Sequence, residues 1–328
     1  MKLKLKNKIF SIISLIIIIV LLFISPFIKS NNKPLYKENS GYKAIIQIWN
    51  LDTFEGGVGS RTSFLRQVAK EYSNKHSNIL FLVTSHSISS ATTLIEKGEY
   101  PDIISYGGGS LNLKNLAINL NGFEQNDGGK EGKFRYMLAW SKGGYLAVKH
   151  KSTNKVSKVI VSEGEYNSAS VAKLFSEYAD YNSEVLVPSE AYLSFVTDKN
   201  SVLIGTQRDV FRLKSRELEF DSTPIYDYCD LFHYLSVINT NQEKNSYSLG
   251  FVNYLMSEKV QQSLYKIGML SPNFSVPYDD NEHLKNLQNK KPVYTISPYA
   301  DKDAINEIKR VSFSSNKINN IINLIKHL

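Results

Sequence analysis

Trp49-Asn50-Leu51-Asp52-Thr53-Phe54-Glu55-Gly56-Gly57-Val58-Gly59-Ser60-Arg61 is the stretch on which the reading of this chain turns. An apolar run, Ala44 to Trp49, precedes it and has the composition of a strand. A helix-like run, Thr62 to Lys75, follows, with Phe64, Leu65, Val68 and Tyr72 spaced along one face. The glycines between them let the backbone approach a neighbour closely and adopt positive φ. Ser60 suits an N-cap, and the first-turn amides beyond it are unpaired donors. The helix dipole adds a mild preference for electron-rich groups. A strand, a glycine-rich turn and a helix start in this order can hold a small polar ligand.

Working outward, the same alternation repeats. Ile79–Thr84 reads as a strand, Ser89–Lys97 as a short helix, and Asp102–Ser105 as a strand ending at Tyr106-Gly107-Gly108-Gly109. Such alternation implies a parallel sheet covered by helices. Residues 121–133, rich in Gly, Asn, Asp and Lys, read as an exposed loop. Phe134–Ala139 and Tyr145–Lys149 then look like a hairpin-like pair joined at Ser141–Gly144. A second series follows: strand Lys158–Ser162, helix Ala169–Tyr178, strand Glu184–Pro188, helix Ala191–Thr197, strand Val202–Gly205, helix Val210–Arg216 and extended Thr223–Tyr228. Two series of similar size predict two α/β lobes. The last third is helical: Ser248–Ser257, Lys259–Ile267, Ala304–Val311 and Ile318–Leu328, with Gly268 and Pro272 as terminators.

The chain has 328 residues, enough for two lobes with their own cores. Lys2, Lys4, Lys6 and Lys8 precede an uncharged apolar stretch, Ile9 to Ile28, long enough to span a bilayer. Residues 1–30 are therefore expected to be a transmembrane anchor or a cleaved signal, with the lysines inside and the rest exported. Residues 31–42 read as a linker. The first 30 residues hold five of the lysines and no acid, which leaves 34 basic against 31 acidic residues in the remainder. That is an ordinary surface and argues against a nucleic-acid partner. Cys229 is the only cysteine, so no internal disulfide or cysteine zinc cluster forms. The six histidines show no metal-binding spacing, and no cofactor fingerprint or paired catalytic carboxylates are seen, so neither a metal, a cofactor nor an enzyme is expected.

Three segments together resemble a known family. They are Ile48-Trp49 through Phe54-Glu55-Gly56-Gly57 to Ser60-Arg61-x-x-Phe64-Leu65; Ala191-Tyr192-x-x-Phe195 followed by Ser201 to Asp209; and Gly250 to Gln261 followed by Gly268-Met-Leu-Ser-Pro272. The chain resembles an extracellular solute-binding protein of an ABC importer, family 1-like and of the sugar type. The resemblance implies a two-lobed, type II periplasmic-binding-protein-like α/β fold. Each lobe is then a mostly parallel sheet flanked by helices, joined to the other by hinge crossovers. Lobe 1 is expected over residues 43–140 with part of the C-terminal helices, about 240–328, and lobe 2 over 141–239. The ligand sits in the cleft, lined by loops at the carboxyl ends of the strands. The family's lipid-anchoring cysteine is missing after residue 30, so an N-terminal anchor would take its place.

On this reading the candidate ligand-binding residues are Trp49, Asp52, Glu55, Gly57, Ser60, Arg61, Tyr106, Gly107, Gly108, Trp140, Gln207 and Arg208. Each has a bland alternative. Trp49 either stacks on a sugar face or packs under its lobe. Asp52 and Glu55 either accept ligand hydroxyls or cap the helix. Arg61 opposes the dipole preference at its helix start and can grip an anion or a lobe-bridging acid. Gly107 and Gly108 face the cleft or form a plain turn, and Tyr106 goes with them. Trp140 forms a second aromatic wall or packs in the hinge. Gln207 and Arg208 contact the ligand or make a local ion pair with Asp209. The expected function is an extracytoplasmic receptor, monomeric and tethered to the membrane or secreted. It would capture a small polar solute, a carbohydrate, for an ABC permease. The alternative is a membrane-anchored sensory or interaction protein on the same fold.

Overall fold

The computed structural model describes residues 41–123, 130–131, 134–314 and 318–327. The expected anchor at residues 1–30 and most of the linker lie outside these. Among the described residues, no helix is long and apolar enough to cross a membrane.

β1 (Ala44–Leu51) runs parallel to β2 (Ile79–His86) on one side and β3 (Ile103–Gly107) on the other. The connections are α1 (Arg61–Ser73) and α2 (Ile88–Glu96). Ser60 caps α1 as expected, its hydroxyl accepting from the Ser63 amide at 3.2 Å. α1 buries Phe64, Leu65, Val68 and Tyr72 on one stripe. The second series comprises β8 (Lys158–Ser162), α3 (Ala169–Leu174), β9 (Ser183–Leu186), α4 (Pro188–Thr197), β10 (Ser201–Thr206) and α5 (Gln207–Ser215). β8 runs parallel to both β9 and β10. A short pairing of β4 (Lys130–Glu131) with β5 (Phe134–Arg135) stands apart.

The remaining strands tie the two lobes together. β6 (Leu138–Lys142) and β12 (Phe232–Val237) close the first sheet, whose order is β2-β1-β3-β12-β6. β7 (Tyr145–His150) and β11 (Phe220–Ile225) close the second, ordered β11-β7-β10-β8-β9. Each sheet thus receives one antiparallel strand next to the third strand of its βαβαβ unit. β6 and β7 are not the hairpin the sequence suggested, because they belong to different sheets. A two-residue hairpin needs positive φ in its turn, and neither Gly143 nor Gly144 has it. Instead the Gly143 amide donates to the Leu231 carbonyl at 2.7 Å and the Gly144 amide to Gln207 Oε1 at 3.0 Å. The chain therefore continues across to the other lobe, and residues 226–231 return between β11 and β12.

Two parts of the expected lobe division move. β12 lies at 232–237, inside the range assigned to lobe 2, yet it pairs with β3 and β6 of lobe 1. The C-terminal helices also divide. α6 (Gln242–Leu255) packs on β1 and α1, followed by α7 (Glu258–Gln262) and a 3₁₀ turn over Ser263–Ile267. Beyond the pairing of Leu270 with Lys142, the chain crosses to lobe 2. There α8 (Glu282–Leu287) covers β11, α9 (Lys302–Ser314) packs on α3, and α10 (Ile318–His327) packs on α9.

The buried apolar residues form two clusters, and each draws on both lobes. One joins Ile48, Phe64 and Trp140 to Leu146, Phe195 and Leu203; the other joins Ile104 and Tyr106 to Tyr145, Val159 and Ile204. Along β1, Ile46 and Ile48 enter the first cluster while Trp49 and Leu51 enter the second. That split follows the alternation of the strand, and both sides enter a core because both faces of the sheet are covered.

Candidate functional site

The carboxyl ends of β1, β3 and β8 open into a cleft between the lobes. Two adjoining cavities fill it, with volumes of about 90 and 270 Å³. Thr53, Phe54, Glu165, Tyr166 and Asn167 line both. The smaller one adds Gly107, Gly108, Gly109, Ser110 and Tyr234 from lobe 1, with Asp230 from the returning crossover. Lys302, Ile305, Asn306 and Lys309 of α9 close it from the lobe 2 side. The larger one adds Glu55, Ser162, Thr206, Arg208 and Asp209.

Phe54 forms the floor, and its position is set from beneath. Its ring stacks on His233 at 4.1 Å. His233 is fully buried and held on both nitrogens, Nε2 with Thr53 Oγ1 and Nδ1 with Ser141 Oγ, each at 3.0 Å. Burial first, and the Arg61 charge second, hold its pKa well below the ordinary histidine range. Phe54 therefore rests on a neutral, doubly anchored imidazole. Gly108 is placed so that a Cβ would meet the Tyr234 ring at 3.2 Å, which leaves no room for a side chain against that wall. Gly109 has φ +72° and lies under Ile305 of α9, whose Cδ1 would be 2.1 Å from a Cβ there. The glycine loop of lobe 1 and α9 of lobe 2 thus touch across the cleft mouth.

The polar groups of the cleft are held by their own networks. Tyr145 donates to Asp230 Oδ1 at 2.6 Å and accepts from the Ser168 amide at 2.7 Å. Asn167 accepts from the Gly164 amide at 2.5 Å and donates to the Ser162 carbonyl at 3.2 Å, shaping the loop after β8. Lys302 meets Glu165 Oε1 at 3.0 Å, and Lys309 meets Glu163 Oε1 at 3.2 Å. Burial raises the pKa of Asp230, with the Tyr145 hydrogen bond opposing the rise. An acid with a raised native pKa binds its proton more tightly folded than unfolded, so its contribution to stability falls as pH rises above the ordinary value of 3.8. Asp230→Asn removes that dependence. Relative to the parent, the variant gains in melting temperature from pH 4 to pH 7, and parallel melting curves for the two across that range would refute this.

The sequence-predicted residues separate into two sets. Glu55, Gly107, Gly108 and Arg208 line the cleft. Gly57, at φ +105°, is a lobe-to-lobe contact: a Cβ there would lie 3.0 Å from Arg208 Cα. Trp49 is 6% exposed and packs on His86 at 4.6 Å within lobe 1. Trp140 and Tyr106 are fully buried; Trp140 Nε1 donates to Ser105 Oγ at 3.1 Å, and the Tyr106 hydroxyl meets Ser236 Oγ at 2.8 Å. Burial pushes the Tyr106 pKa up. Both strands run further than expected, which carries their aromatics from the mouth into the interior. Gln207, also fully buried, supports the Gly144 crossover and does not face the cleft. Asp52 is exposed and accepts from Ser85 Oγ, Ser60 is the N-cap, and neither lines the cleft.

Arg61 and Glu55 form one unit. The Arg61 amide, first in α1, donates to both Glu55 carboxylate oxygens, at 3.2 and 3.4 Å. The helix start expected to hold a ligand's electron-rich group is occupied by the chain's own carboxylate. The Arg61 side chain is fully buried, with Nε 3.5 Å from Glu55 Oε1 and Nη2 donating to the Leu51 carbonyl at 3.0 Å. Burial lowers its pKa to about 10, which leaves it charged at neutral pH. Burial also raises that of Glu55, against the Arg61 charge.

Sequence reasoning missed Phe54, Tyr166, Asn167, Tyr234, Asp230 and all of the α9 contributors. Phe54 lay inside the quoted stretch; the others carry no local signal beyond the amphipathic pattern of α9.

No protein-family model matches the chain, and no curated protein matches it in sequence. Solved structures do match in shape. A maltose/maltodextrin-binding domain from Bdellovibrio bacteriovorus, bound to maltotriose, is similar at a TM-score of 0.57 and 12% identity, over 87% of this chain and 99% of that one. The galacto-N-biose/lacto-N-biose I-binding protein of an ABC transporter from Bifidobacterium longum gives 0.60 and 11%, over 88% and 96%. A family 1 extracellular solute-binding protein from Bifidobacterium longum subsp. infantis gives 0.61 and 10%, over 87% and 98%. At such identities the likeness establishes the fold, the two-lobed periplasmic-binding-protein type.

Proposed function

We propose that this chain is an extracytoplasmic solute receptor that captures a carbohydrate between its lobes and delivers it to an ABC importer. It acts as a monomer, held at the membrane by residues 1–30, and carries out no bond-making chemistry. The observation that carries the reading is the cleft itself. Aromatic faces from both lobes, Phe54 and Tyr234 on one side and Tyr166 on the other, meet hydrogen-bonding groups at Glu165, Asn167 and Asp230. Flat apolar faces beside fixed polar groups suit a sugar ring, whose own faces are apolar and whose edge is hydroxylated. The fold's solved representatives bound to maltotriose and lacto-N-biose support the same reading.

A thermal-shift screen tests it. Maltotriose, lacto-N-biose, mannotriose and chitin oligosaccharides are compared with amino acids, polyamines and ferric iron. A matching saccharide at about 100 times its Kd raises the melting temperature by roughly 5 °C, because only the folded state binds it. Stabilisation by a non-saccharide alone would overturn the carbohydrate assignment, and no shift with any solute would overturn the receptor.

A further inference from the structure

Nearly every charged group on the cleft wall is already engaged. Glu55 serves Arg61, Glu165 meets Lys302, and Lys309 meets Glu163. Asp209 accepts the Thr206 amide at 3.0 Å and lies 3.7 Å from Arg212, completing the capping box of α5. Asp230 takes the Tyr145 hydroxyl. Arg208 is the exception. It is exposed to the larger cavity and makes no hydrogen bond or ion pair with any described residue. Its backbone is fixed from across the cleft, against Gly57 of the other lobe. Burial lowers its pKa and the neighbouring Arg212 charge acts the same way, while Asp209 and Glu55 oppose the shift. Ser162 and Thr206, neutral and hydroxyl-bearing, line the same cavity.

A planar guanidinium with free donors, held in a cavity between two lobes, matches a carboxylate or phosphate through paired hydrogen bonds. Glu55, on the opposite wall, makes its hydrogen bonds and ion pair with the α1 amide and Arg61 and none with Arg208. We propose that the solute is an acidic saccharide, bearing a carboxylate or a phosphate, and that Arg208 binds this group and selects for it. The inference rests on the saccharide-receptor reading and narrows its substrate class.

The test uses the full chain and isothermal titration with three probes of matched size: a uronic-acid disaccharide, a phosphorylated disaccharide and their neutral counterpart. The expected result is at least tenfold tighter binding of one acidic probe than of the neutral one, and the arm that binds identifies carboxylate or phosphate. Arg208→Gln then weakens the acidic probe by roughly 10- to 100-fold and leaves the neutral one within about twofold. Arg208→Lys restores part of the loss. Because the side chain is exposed and unpaired, the unliganded melting temperature of both variants stays that of the parent. Equal affinity for neutral and acidic probes, or an equal loss of both in Arg208→Gln, would overturn the proposal while leaving the saccharide receptor intact. Binding of no saccharide at all would remove the receptor reading and this one with it.

Discussion

Arg61→Met lowers the unfolding free energy by about 3 kcal/mol, the scale of breaking a buried ion pair from one side. The methionine fills much of the volume but restores neither the hydrogen bond to the Leu51 carbonyl nor the counter-charge of Glu55. Both losses fall on β1 and its turn, and His233 beneath Phe54 loses the neighbouring charge that helps keep it neutral. Chemical denaturation followed by tryptophan fluorescence reads this well, since Trp49 and Trp140 are the only tryptophans and both lie in lobe 1. Adding Glu55→Gln to Arg61→Met recovers part of the loss, because the acid no longer sits uncompensated. If the double variant is as unstable as the sum of the two singles, the two residues are not acting as a pair.

Trp140→Ala costs about 3–5 kcal/mol, the range for truncating a buried large aromatic. The ring is fully buried between Phe64, at 6.0 Å, and His233, and its nitrogen is satisfied by Ser105. Trp140→Phe keeps most of the packing and loses less than half as much. Ligand affinity in the phenylalanine variant stays within about twofold of the parent, since a ring in the interior of lobe 1 does not reach the solute. A tenfold loss of affinity at unchanged stability would return Trp140 to the ligand wall that its sequence position suggested.

The two lobes and most of their βα units were legible because periodicity and turn chemistry are local. The strand exchange was not. Phe232–Val237 is a short run buried on both faces, and such a run shows no alternation to distinguish it. Whether β6 and β7 pair or part is decided by strands nearly a hundred residues away. The site was half legible for the same reason. The turn at Glu55–Gly57, the loop at Gly107–Gly108 and Arg208 could be found from strand ends. Which side of a strand its aromatic enters could not, so wall and packing both stand open in the sequence for Trp49, Tyr106 and Trp140, and the structure places all three in the core. Asp230 and the α9 residues come to the cleft only through crossovers that no local pattern announces.

The strand exchange also sets an order in time. β3 and β6 cannot be joined until β12 arrives between them, with Val237 opposite Ile103. The second sheet differs, since β11 is its edge strand and β7, β10, β8 and β9 pair without it, but its outer layer still waits for α8 and α9. As the chain emerges from a ribosome or a translocation pore, its first 200 residues therefore contain no finished lobe. Lobe 1 closes only after the helices that follow β12, and lobe 2 only after the C-terminal helices, so neither is the contiguous unit that folds by itself during synthesis. Long-range pairings of this kind slow folding, and under the proposed extracytoplasmic role that delay keeps the chain threadable until it has crossed a membrane.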